Sequence, residues 1–258
     1  MEIARSDFVP DPSLSRAEME ELQRAIAGAA TFSDGLDFDP AAVTVDGDTA
    51  QQRLGGESPL VAGVDQAFRN GSAVSAVVVL RDGEVVERVH AVEPVEIPYI
   101  PGLLSFREGA AILAALAALD SDPDVLLVDG SGRIHFREAG LATHIGVAVD
   151  VPAIGVAKSL LCGRPRDSLA APLPEGSHVA IVADEDVTAA DDTVIGYAVQ
   201  TRQYDSGNRH INPLYVSPGH RVSAETAAEI AERAVGTYKL PEPTRLADDY
   251  ADECKRRC

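Results

Sequence analysis

Two dipeptides constrain the first half of this 258-residue chain more than anything else in it. Asn70-Gly71 and Asp82-Gly83 are the pairs that a tight type I′ turn demands, because both central residues must take positive φ. Each separates runs of strand-forming residues: Leu60 to Phe68, Ala73 to Leu80, and Val85 to Val92. The three runs therefore fold back on one another as an antiparallel meander, with each turn setting its register.

The later pattern differs. Ser105 to Leu119 reads as a helix rich in Ala and Leu. Asp124 to Val128 is a short, continuously apolar run, which suits a parallel strand in the middle of a sheet. Leu141 to Val149 reads as a helix and Ala153 to Ala157 as another buried strand. Val179 to Ala183 and Val194 to Thr201 form a further strand pair. Ser223 to Val235 is a closing helix, capped by Ser223 and followed by Gly236. Upstream, Leu14, Met19, Leu22, Ile26 and Ala29 recur at helical spacing, with Ser15 and Glu18 as a capping box. Thr31 to Pro59 is acidic, Gly-rich and aperiodic, a loop of which Asp34 to Glu57 reads as an addition.

This order predicts an α/β fold: a mixed sheet, with a three-strand antiparallel meander followed by parallel strands, flanked by helices. Residues 1–59 are expected as an N-terminal helix and acidic loop packed on a core of residues 60–250. Residues 251–258 are expected as a flexible tail.

Charge bears on what the chain meets. Forty-one acidic residues face 22 basic ones, a net charge of −19, and only Lys158, Lys239 and Lys255 are lysines. Acidity with scarce lysine resembles the proteins of extreme halophiles, where the Debye length falls to about 3 Å at 1 M salt and self-repulsion is screened. On that reading the charge reflects the solvent. On the opposing one it repels nucleic acid. No run of about 18 apolar residues is present, so no membrane span is expected. Met1 to Pro10 lacks the apolar core of a signal peptide. Cys162, Cys254 and Cys258 make no disulfide framework, and a cytoplasmic location is the expectation.

Several residues carry chemical potential. Pro98-Tyr99-Ile100-Pro101-Gly102 is a loop stiffened by two fixed φ angles, suited to wedging between bases; the plain alternative is a turn with a buried Tyr. Asp65 stands inside an apolar strand, so it either faces solvent or serves a site. Asp129 ends a central strand, where open α/β sheets place ligands, and Gly130-Ser131-Gly132 follows. Glu108 lies in the expected first turn of a helix, as a dipole partner or as a third carboxylate. Three carboxylates around one point demand a cation or a retained proton. Mg²⁺, held by one or two carboxylates and a substrate phosphate, fits that set. His135 either assists proton transfer, binds phosphate, or is structural. Lys158 either neutralises phosphate charge or guards a strand end.

Four long segments in one order resemble the endonuclease V family, nucleases that act at deaminated adenine. They are Gly63-Val64-Asp65 with Phe68, the run from Pro98 to Glu108, the stretch from Asp129 through His135 to Val147, and Gly155 to Ser159. Ser217 to His220 and Leu240 to Arg245 are similar to its C-terminal segments. The resemblance implies a ribonuclease H-like fold, with Asp65, Glu108 and Asp129 as metal-binding carboxylates and His135 and Lys158 assisting. It implies that Pro98, Tyr99, Ile100 and Pro101 form a wedge, and that Gly102, Gly130, Gly132 and Leu141 line the pocket of a flipped base. It also implies Mg²⁺, with Mn²⁺ as a substitute, and a monomer that cuts deoxyinosine-containing DNA at the second phosphodiester bond 3′ to the lesion. Phe136 departs from the family, which has proline after the histidine. The competing readings are an endoribonuclease acting at inosine in RNA, and a catalytically silent nucleic-acid-binding protein.

Overall fold

The meander forms as its turns require. Strands β1 (Val61–Arg69), β2 (Ser72–Arg81) and β3 (Glu84–Pro94) pair antiparallel, with Arg69 opposite Ser72 and Arg81 opposite Glu84. Asn70 and Asp82 take φ of 52° and 53°, and the glycine after each takes 80°. The computed structural model describes residues 1–46, 58–204 and 210–257. Its later strands are β4 (Val125–Asp129), β5 (Ala153–Ala157), β6 (Arg164–Pro165), β7 (His178–Val182), β8 (Val194–Val199) and β9 (Leu214–His220). All join one sheet in the order β3-β2-β1-β4-β5-β9-β8-β7-β6. β4 pairs parallel with β1 and β5 parallel with β4, as their apolar runs predict.

Among the described residues, five α-helices cover the two faces. α1 (Arg16–Ala29), α2 (Leu104–Ala117) and α3 (Leu141–Val149) lie on one side, where Ile26, Ile112 and Ile145 pack with Ala62, Val64, Leu126 and Val128. α4 (Ala224–Arg233) and α5 (Glu242–Arg257) lie on the other. There Ala227 and Ile230 meet Val61, Val125, Leu127 and Val156, while Ala247 meets Val78 and Leu80. Successive residues of β1, β4 and β5 thus serve opposite cores, which is the two-residue period of a strand. The expected capping box on α1 and the Ser223 cap on α4 are both present. No described helix is long and apolar enough to cross a membrane.

Two elements differ from the sequence expectation. β9 occupies the middle of the sheet despite containing Pro218 and Gly219. Pro218 sits beside a register irregularity at Ala153/Ile154 of β5, and such a bulge accommodates a residue without an N–H. The tail expected over 251–258 is instead helical to Arg257, with Ala251 and Cys254 buried; Cys258 lies outside the described residues. Of the acidic segment, residues 47–57 lie outside the described residues. The preceding part is docked. Val43 is buried with Leu36 and Phe38 against the α4 core, and the Asp34 carboxylate accepts from the Ser223 amide at 2.7 Å.

Candidate active site

Register and alternation gather the acids. Val64 lies beside Val128 in the parallel β1–β4 pair, so the next residues, Asp65 and Asp129, leave the sheet side by side on the face of α4 and α5. Asp129 lies beside Val156 of β5, and Lys158, two residues on, turns to the same face. Its Nζ donates to Asp129 Oδ2 at 2.9 Å. Asp65 is 6% exposed, and its Oδ1 accepts from the Gln66 amide at 2.6 Å. Burial, and then the charge of Asp129, hold the Asp65 carboxyl well above the usual carboxylate range.

Glu108 approaches from α2, near enough for the charge of Asp129 to act on it. The helix begins at Leu104, and no acid stands in its first turn, so the dipole explanation for Glu108 does not hold. The side chain is buried instead, with Arg107 Nη1 3.6 Å from its Oε1. Burial pushes its pKa up to about 7, with Arg107 opposing and Asp129 reinforcing the shift.

This donor set fits a hard divalent cation, because acids held above their normal range gain most from one. Among the described residues no three such side chains converge on a single point. An ion here would therefore take one or two carboxylates and complete its shell with water and substrate oxygens. Asp248 was not anticipated. It lies on α5, near enough that its charge raises the pKa of both Asp65 and Lys158. Its spacing from buried Thr244 and Ala251, at i+4 and i−3, is the signal that would have found it.

The opposite face of the same strand ends holds a pocket of about 200 Å³. Tyr99, Gly102, Gly130, Leu141, Ala157 and Ser159 are among its walls. Tyr99 is 62% exposed, so the buried-Tyr reading of the loop is overturned. Ile100 is the loop's anchor, packed with Leu103, Phe106 and Met19. Pro98 borders a neighbouring cleft with Phe68 and Arg107, and Pro101 is exposed. Gly132 does not line the pocket. Its amide donates to Ser217 Oγ at 2.8 Å, and a Cβ there would fall 2.4 Å from the Pro218 carbonyl oxygen.

His135 belongs to this pocket rather than to the acids. One ring nitrogen, Nε2, lies 3.1 Å from the Gly102 carbonyl oxygen, and the other accepts from the Arg137 amide at 3.2 Å. These contacts assign the proton to Nε2. Burial pushes the pKa down to about 4, so the ring stays neutral. These contacts fit a ring that holds the Gly102 carbonyl in place.

Gln23, from α1, completes that network and was missed in the sequence. Its Nε2 donates to the Gly102 carbonyl at 2.7 Å, and its Oε1 accepts from Arg137 Nε at 2.8 Å. The N-terminal helix is thus part of the pocket wall. Gln23→Ala leaves Arg137 Nε unpaired and frees one of the two bonds on Gly102. We expect about 1–3 kcal/mol of lost stability and a rise in KM larger than the fall in kcat, read from melting curves and steady-state kinetics. A fall in kcat alone would contradict a positioning role.

Paired acids at the ends of adjacent parallel strands of a mixed α/β sheet, with an ammonium beside them, have the chemistry to meet a divalent cation and a phosphate. The comparisons with known proteins narrow that reading. The family model described as Endonuclease V matches residues 44–249. Endonuclease V of the haloarchaeon Haloarcula marismortui is 66% identical over 97% of this chain and 96% of its own. The crystal structure of endonuclease V from Streptomyces avermitilis superposes with a TM-score of 0.75 at 32% identity, covering 95% of each chain. That of Ciona intestinalis, in complex with a 24mer DNA containing an inosine followed by a ribo-adenosine, gives 0.71 at 26% identity over 93% of this chain and 98% of that one. The chain belongs to the Endonuclease V family. It is accordingly a nuclease that hydrolyses phosphodiester bonds of DNA.

Proposed function

We propose that the protein is a DNA repair endonuclease that recognises deoxyinosine and cuts the second phosphodiester bond on its 3′ side, acting as a monomer with Mg²⁺. The observation that carries this reading is the two-faced strand end. Ala157 and Ser159 line the pocket, while Lys158 between them turns to Asp129 on the other face. A base flipped into the pocket leaves its own backbone running across the acids. Tyr99 is placed to fill the gap left in the stack.

Asp65 and Asp129 would hold the ion, with Glu108 close enough to join through a water of its shell. When bound it would polarise the phosphate and activate a water. Lys158 neutralises charge that builds on the phosphate oxygens. Attack by water forms a bond to phosphorus and breaks the bond to the 3′ oxygen, leaving a 3′-hydroxyl and a 5′-phosphate. The doubly held Gly102 carbonyl keeps the pocket wall fixed, so that backbone groups can tell a 6-oxo base from a 6-amino one. The Ciona relative, crystallised with a 24mer DNA containing an inosine followed by a ribo-adenosine, supports an inosine-bearing strand as the substrate.

The raised acids set a pH test. Glu108 with a pKa of about 7, and Asp65 held above the normal range, must lose protons before they can bind a cation. Cleavage should rise from about pH 6 to about pH 8, and the rise should move to lower pH as Mg²⁺ increases, since cation and protons compete. EDTA should abolish cutting. A profile that is flat and indifferent to EDTA would defeat the proposal.

A further inference from the structure

The Lys158 side chain also opens onto a second cleft, shared with Tyr238, Lys239, Leu240 and Arg245. It lies beside the acids on the α4/α5 face, away from the base-sized pocket. Tyr238 is 60% exposed, and with Tyr99 it is one of the two most exposed aromatic side chains among the described residues. Its ring is backed by the Arg245 guanidinium, 5.0 Å from the centroid. Arg245 is in turn tied to Glu242 and Asp249, so the ring rests on a fixed support.

Lys239 is the more telling residue. The chain has 41 acidic residues and three lysines. Yet among the described residues the Lys239 ammonium has no hydrogen-bond or ion-pair partner, and its near charged neighbour is Lys158. Its backbone is fixed: the carbonyl accepts from Thr201 Oγ1 at 2.7 Å, and Val235 bridges to Pro241. A cation on a fixed backbone, without a partner among the described residues and sharing a cleft with Lys158, is complementary to an anion entering that cleft.

We propose that this cleft is a binding subsite for the nucleic-acid strand beyond the cut, with a backbone phosphate on Lys239 and a base stacked on Tyr238. The inference rests on the function proposed above. A strand whose flipped base fills the first pocket passes Asp129 and Lys158 and then arrives here, on the 3′ side of the scissile bond. An aromatic face beside an ammonium is the usual platform for single-stranded nucleic acid.

The test compares two hypoxanthine-containing DNA strands. One ends just past the cut and the other extends about six nucleotides further, a typical single-strand site. The wild type should favour the longer strand by roughly tenfold in kcat/KM, the order of one stacked base. Lys239→Gln and Tyr238→Ala should each lose roughly 3–10-fold on the long strand and almost nothing on the short one. Lys239→Gln should also lower the log–log salt slope of binding by about 0.7, the value for one single-strand phosphate, and Lys239→Arg should restore it. Unchanged thermal midpoints show that the variants fold. Equal length dependence in the wild type and both variants overturns the subsite while leaving hypoxanthine-directed cleavage intact. A wild type that cuts neither strand overturns the underlying function and the subsite with it.

Discussion

Asp65→Asn is expected to lower cleavage on the order of 10³-fold or more while making the fold more stable. The two effects share one cause. Asp65 is 6% exposed, and burial together with the neighbouring Asp129 disfavours its charge. A carboxyl whose folded-state pKa lies above its unfolded value binds its proton more tightly when folded. Its contribution to stability is therefore full below the unfolded value near pH 4 and is lost as pH rises through the folded value. Asparagine mimics the protonated acid and keeps the Gln66 contact, because its side-chain oxygen can still accept. At pH 8 without cation the variant should gain about 2 kcal/mol, roughly 4–8 °C in thermal midpoint for a chain of this size. At pH 4 the difference should vanish. A variant that melts lower than the wild type at pH 8 would show that the site's acids are not held against their preference.

Gly63→Ala should be the most damaging single change to the fold. A Cβ on Gly63 would fall 2.0 Å from the backbone of Pro243, and backbone cannot move aside as a flexible side chain can. The first turn of α5 would have to leave the sheet, taking with it the contacts of Ala247 and Ala251 on β1 and β2. Overpacking of this kind costs about 3 kcal/mol or more, so we expect a strongly lowered denaturant midpoint or failure to fold. A near-wild-type midpoint would mean that α5 is only loosely held. The same helix carries Asp248 to the acids, so activity should fall with it.

What the sequence made legible follows from how locally each feature is encoded. Asn70-Gly71 and Asp82-Gly83 specify their turns by themselves, and the meander follows. Val125 to Val128 and Ala153 to Ala157 announce buried parallel strands because both faces are apolar. Asp65, Asp129 and Lys158 stand out because each puts a charge at or near the end of such a run. α5 was hidden because its buried side is built from small residues, Ala247, Ala251 and Cys254, among many charges. β9 was hidden by Pro218 and Gly219, whose tolerance depends on a bulge in a neighbouring strand. Gln23 could not be read at all, since its partner Gly102 is 79 residues away and nothing in α1 alone calls for a buried amide. Likewise, His135 reads equally well as acid–base or structural until the Gly102 carbonyl is found against its ring.

The central claim is that one strand end joins lesion recognition on one face to hydrolysis on the other. Its most direct test uses an end-labelled DNA duplex with a single hypoxanthine, and its adenine-containing twin, in Mg²⁺ and about 2 M KCl, where repulsion from the acidic surface is screened. The account predicts one nick at the second bond 3′ to hypoxanthine, none in the adenine strand, and none with EDTA. Equal cutting of both strands, or cleavage of the matching inosine RNA alone, would contradict it.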